Sequence, residues 1–67
     1  MYLIIVISPQ GIARLIQNHA FKKYEQGVIY LKDDGWILNE TGPKDSEENP
    51  IQFQKSDEKA FVCLFEG

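Results

Sequence analysis

Apolar positions along the 67-residue chain fall into short runs broken by Gly, Pro and acidic segments. The first run, YLIIVI at residues 2–7, is apolar at odd and even positions alike and rich in β-branched residues that pack on a pleated surface, which predicts a buried central strand. SPQG follows at residues 8–11. Ser8 fits a helix N-cap, Pro9 fits the first helical position because its missing N–H would serve no helical partner, and Ile12, Leu15 and Ile16 recur at helical spacing with Arg14, Gln17 and Asn18 turned outward. The pattern predicts a helix from Ser8. It ends either near Asn18, which tolerates a left-handed C-cap, or near Tyr24, which would leave Phe21 on the outer face beside Lys22 and make HAFKKY a contact surface.

Residues 28–41 alternate as a hairpin about Asp34–Gly35. A two-residue turn there sets Asp33 opposite Trp36, Lys32 opposite Ile37, Leu31 opposite Leu38 and Ile29 opposite Glu40. One face collects Ile29, Leu31, Trp36 and Leu38; the other, with Val28, Tyr30, Lys32, Ile37, Asn39 and Thr41, is half polar and suits water or a partner. Asp-Gly supplies the positive φ that a type I′ turn needs, so Asp33 and Asp34 require no chemical role.

Between Thr41 and Pro50 the chain reads TGPKDSEENP, with no apolar anchor, and is expected to form a mobile acidic loop over 41–50. A second hairpin follows: Ile51 and Phe53 alternate with Gln52 and Gln54, KSDEK holds a polar turn, and AFVCLF returns. Phe61, Cys63 and Phe65 share one face of that strand and Ala60, Val62 and Leu64 the other, so Cys63 is expected to be a small buried hydrophobe. The elements predict one α+β domain over residues 1–67, in the order β-α-β-β-β-β, with one helix on a mostly antiparallel sheet of four or five strands. The helix covers one face only, while the first and last strands are apolar on both, so hydrophobic surface is left for a second subunit or a partner, and a homodimer is expected.

Composition supports a folding chain, with 43% hydrophobic and 25% charged residues, although one so short buries only about 60% of the surface its unfolded form exposes. Net charge is -3 and unevenly spread: residues 1–32 carry four basic residues against Glu25, and residues 33–67 carry three lysines against nine acids. No basic stripe is present, so direct nucleic-acid binding is not expected. The single Cys63 forms no internal disulfide, which favours a reducing compartment, and a cytoplasmic location is expected. MYLIIVIS lacks the basic flank of a signal peptide, and nothing approaches the roughly 20 apolar residues of a membrane span.

Candidate chemistry is sparse. Gly11 at a strand-to-helix junction would suit a phosphate, but it lacks a P-loop lysine or a dinucleotide fingerprint. KDDGWILNE does not space oxygen ligands as a calcium loop does, one His and one Cys do not close a zinc site, and a Cys63–His19 nucleophilic pair lacks an orienting group. No cofactor, metal or catalytic residue is expected. The residues left for function are those that could meet a protein partner: Asp45, Glu47 and Glu48 in the acidic loop, with Phe21 and Tyr30 as exposed aromatics. The expected function is a small non-enzymatic interaction protein, of the kind phages and mobile elements use to block a host protein through an acidic or apolar surface; the alternative is an accessory subunit of a larger intracellular assembly.

Overall fold

The computed structural model describes residues 1–65 and, for residues 17–19, the backbone alone. Within these residues the chain forms β1 (Tyr2–Ile7), β2 (Ala13–Phe21), α1 (Tyr24–Asp33), β3 (Ile37–Leu38), β4 (Gln52–Lys55) and β5 (Glu58–Leu64). The strands make one five-stranded antiparallel sheet in the order β2-β1-β5-β4-β3, with α1 packed on one face. The α+β class, with one helix on an antiparallel sheet, is therefore the architecture the pattern predicts. The apolar run at residues 2–7 is indeed a central strand, paired on one side with β2 and on the other with β5.

Two elements differ from expectation, and the order is β-β-α-β-β-β. SPQG opens no helix: Gly11 N–H donates to the Ser8 carbonyl at 2.9 Å and Ser8 N–H to the Ile12 carbonyl at 3.0 Å, closing a tight hairpin in which Gly11 takes φ +83°. Ser at the first, Pro at the second and Gly at the fourth position is the signature of a β-turn as much as of a helix start. The turn wins because β2 then lies along β1, Val6 opposite Arg14 and Ile7 opposite Ala13. Beyond that the register shifts, so that Ile5 lies opposite Leu15 but Leu3 opposite Ala20.

The second difference is the expected hairpin over residues 28–41. Tyr24 to Asp33 is helical, and Tyr24, Gly27, Val28 and Leu31 turn one stripe inward at the i, i+3, i+4, i+7 spacing of a helix. Gly27 brings α1 close to the sheet; a Cβ there would lie 3.3 Å from Val62 Cγ1. Lys23, at the N-cap, has no side-chain acceptor. Gln26 substitutes by reaching back, its Oε1 accepting from the N–H groups of Lys22 at 3.0 Å and Lys23 at 3.2 Å. Ile29, expected on the core face, stands 62% exposed on the outer side of the helix. The pairing expected across Asp34–Gly35 does not form; Ile37 and Leu38 pair with Gln54 and Phe53 of β4 instead.

The β4–β5 hairpin forms as predicted, turning at Ser56–Asp57 between the paired Lys55 and Glu58. Ile4, Val6, Leu31, Trp36, Phe53, Ala60 and Val62 make the buried core, between the sheet and α1. Phe53, Ile4 and Leu31 are fully buried, each removing side-chain surface from water for about 1.5–3 kcal/mol. Because the helix covers only the Ala60–Val62 side of β5, Cys63 falls on the other side, beside Leu3, and is half-buried rather than buried. No helix among the described residues is long and apolar enough to cross a membrane.

Candidate partner-binding surface

Cross-strand pairing determines which side chains meet at the end of the sheet nearest the helix start. Tyr2 lies opposite Phe21 on one side and Leu64 on the other, so the three form a row on the helix-covered face. Phe21 packs against Tyr30 of α1, with ring centroids 5.6 Å apart and planes at 45°. Tyr2 meets Tyr24, the first residue of α1, edge to face at 6.4 Å. Both Phe21 and Tyr30 are half-buried: Phe21 is not the exposed outer-face residue that a helix running to Tyr24 implied, and Tyr30 lies on α1 rather than on the half-polar face of a hairpin.

The acidic segment reaches the same place. Lys44 pairs with Pro50 across an isolated bridge, Ile51 N–H donates to the Pro43 carbonyl at 3.1 Å, and the Tyr24 hydroxyl donates to the Pro50 carbonyl, tying the segment to the helix start. Asp45 turns inward. One of its carboxylate oxygens, Oδ1, accepts from the backbone N–H groups of Glu47 and Asn49, both at 2.9 Å, and Glu48 takes a left-handed φ of 63°. Glu47 and Glu48 remain exposed. Between this segment and the sheet lies a cavity of about 300 Å³, lined among others by Tyr2, Asp45, Glu47, Ile51, Val62 and Leu64.

Electrostatics register the proximity. Partial burial, followed by the carboxylates of Glu47, Asp45 and Glu25, raises the pKa of the Tyr2 hydroxyl above its ordinary value. Burial, followed by Asp45 and Glu25, does the same to Tyr24. Asp45, Glu47, Phe21 and Tyr30 thus adjoin a single aromatic and acidic end of the molecule, with Glu48 following in the loop. Sequence reasoning missed Tyr2, Tyr24 and Glu25, which join them. For Tyr2 the signal was its even position, shared with the core residues Ile4 and Val6; an apolar run on both parities masks that cue.

The other candidate chemistries do not assemble. Gly11 fronts no helix N-terminus, so the anion cradle is absent. Asp34 caps the helix and accepts from Trp36 Nε1 at 3.2 Å, and Lys55 Nζ donates to its carbonyl at 2.7 Å while lying 5.9 Å from the centre of the Trp36 ring. The side chain of His19 lies outside the described residues, as does any Cys63–His19 pair. Burial raises the Cys63 pKa, which disfavours the thiolate. Among the described residues no three His, Cys, Asp or Glu side chains come together as a metal site. Comparison with protein-family models, with curated proteins and with solved structures returned no match.

Proposed function

We propose that this chain is a small non-enzymatic interaction protein that binds a basic surface of a protein partner through its aromatic and acidic end, acting by occupancy as phage-type or mobile-element inhibitors do. The observation that carries the reading is the position of Tyr2, set between the Phe21 row and the carboxylates of Asp45 and Glu47. Aromatic faces and carboxylates together suit a Lys or Arg side chain, because the ring quadrupole and the negative charges attract the same cation and Arg also stacks flat. A cavity of about 300 Å³ gives such a side chain room to enter. Carboxylates steer a basic partner towards the site and fix its orientation, and their contribution weakens as salt rises. The sole cysteine, partly buried and with its thiol form favoured, is compatible with the reducing cytoplasm.

Fluorescence anisotropy with a labelled arginine-rich peptide tests this. Tyr2→Leu keeps the apolar bulk and removes the ring, Glu47→Gln removes one charge at the site, and Asp57→Asn removes one charge at the distant β4–β5 turn. The first two variants should weaken binding several-fold and the third should leave it unchanged. Equal weakening by Glu47→Gln and Asp57→Asn, with none from Tyr2→Leu, would mean that only the net charge attracts the peptide.

A further inference from the structure

The sheet face opposite α1 has nothing packed over it among the described residues. It nevertheless presents Leu3, Ile5 and Ile7 of β1 beside Phe61 and Cys63 of β5, with Leu15 of β2 flanking Ile5. Gln52 and Gln54 of β4 and Lys59 of β5 share this face; Leu15 at its edge is 52% exposed and Ile37, on the same face of β3, is 73% exposed. We infer that this open face is covered by a second copy of the chain, the two sheets packing face to face as a sandwich.

Three observations select a second copy over other occupants. The first is charge. The chain carries a net charge of -3, yet none of the carboxylates in its described residues lies on this face: Glu58 points to the helix side with Ala60 and Val62 and pairs with Arg14, and the remaining acids are on α1, the turns and the loops. Lys59, beside Ile7, is the one charged side chain of the described strands on this face. A basic partner finds no strand carboxylate here, whereas two copies approach without opposing acids and with Lys59 at the margin beside the β4–β5 turn.

The second is area. Strands about 4.8 Å apart and about 3.4 Å per residue give a five-stranded face of roughly 20 by 20 Å, so joining two such faces removes roughly 800 Å² of projected surface, the size of a weak, reversible association rather than of an obligate dimer. The third is shape. Two identical sheets share one twist, so their faces mate at the small angle of about 30° that aligned sheets adopt, and a two-fold axis makes each patch its own complement. Strands apolar on both faces, as β1 and β5 are, belong between two packed layers; α1 supplies one layer and the second copy the other. This inference goes beyond the partner-binding reading: Tyr2 faces the helix side, so both aromatic ends stay accessible in the dimer and the assembly is bivalent.

Sedimentation equilibrium across the micromolar range, with far-UV circular dichroism on every variant, is the test. The wild-type protein should sediment at twice the 7.7 kDa of the single chain. Ile5→Lys should shift the mass to the monomer, and so should Leu15→Lys, whose edge position spares the fold if Ile5→Lys unfolds it. Ile29→Lys, on the outer side of α1, should leave the dimer intact. Alkylation of Cys63 in the wild-type protein should slow in proportion to the dimer fraction as concentration rises. A single-chain mass at high micromolar concentration, or a folded Leu15→Lys that dimerises as tightly as wild type, overturns the inference. A monomer that still binds the arginine-rich peptide through Tyr2 would overturn the dimer and leave the partner-binding reading standing.

Discussion

The backbone N–H of Trp36 donates to the carbonyl of Leu31 at 3.0 Å, while the two side chains lie together in the core. With Gly35 N–H donating to the Lys32 carbonyl at 3.1 Å, this is the six-to-one and five-to-two pairing that closes a helix around a left-handed residue, accompanied by its hydrophobic contact. Gly35 has φ +90°, and a Cβ there would meet only the flexible Lys55 side chain, its Cε at 3.7 Å, so a substitution acts chiefly through backbone strain. Gly35→Val should cost about 1–2 kcal/mol in urea unfolding, and Gly35→Asn distinctly less, because Asn tolerates the left-handed region.

Leu31 couples this cap to the core, since its carbonyl serves Trp36 and its side chain is fully buried. Leu31→Ala should cost about 2–5 kcal/mol, the range for a large-to-small change that leaves a cavity. In a 67-residue domain that is a large part of the whole stability, so the variant should melt tens of degrees lower or fail to fold cooperatively. A loss under 1 kcal/mol would mean that α1 does not pack as described.

Asp45 and its acidic neighbours should separate by role. Asp45→Ala removes the acceptor of two backbone N–H groups and should cost about 1 kcal/mol, with faster amide exchange at Glu47 and Asn49. Glu48→Gln should change stability by no more than about 0.5 kcal/mol, since the side chain is exposed.

Alkaline titration probes the aromatic end directly. Tyr2 and Tyr24 have pKa values raised in the folded state, so the fold favours their neutral forms. The stability this contributes is complete below the ordinary tyrosine pKa of about 10 and is lost as pH rises through the raised values. Phenolate absorbance should therefore show both groups ionising late. Glu47→Gln should move Tyr2 back towards its ordinary value; no movement would place Glu47 away from the ring.

Much of this fold was legible in local pattern, and the errors came where one local signal serves two structures. Of the two positive φ values that a type I′ turn at Asp34–Gly35 requires, only the one at Gly35 is present; Asp34 has φ -87°, because the same dipeptide ends a helix as readily as it turns a hairpin. The β-branched and aromatic content of VIYL favoured a strand, and Gly27 within the segment obscured the helical stripe of Tyr24, Val28 and Leu31. Likewise Ser8-Pro9-Gln10-Gly11 suits a helix start and a β-turn. The helix is decided by packing of its inward stripe on the sheet and by β3 pairing with β4, and the turn by β2 pairing along β1, and no short window contains those contacts. The apolar surplus on both faces of β1 and β5 was legible because it depends only on alternation. Of the residues proposed to meet a partner, Phe21, Tyr30, Asp45 and Glu47 were visible singly, but Tyr2, which adjoins them, depends on a register set by strands at opposite ends of the sequence.

The central claim, that the Tyr2 end receives a cationic side chain, is tested most directly by mapping where such a group binds. In a ¹⁵N–¹H NMR titration of the protein with N-acetyl-arginine amide, shift changes should concentrate at Tyr2, Tyr24, Asp45, Glu47 and Leu64, and Tyr2→Leu should abolish them. Changes spread evenly over Asp33, Asp34, Asp57 and Glu58 as well, and unaffected by Tyr2→Leu, would contradict the claim and leave only a diffuse attraction to an acidic surface.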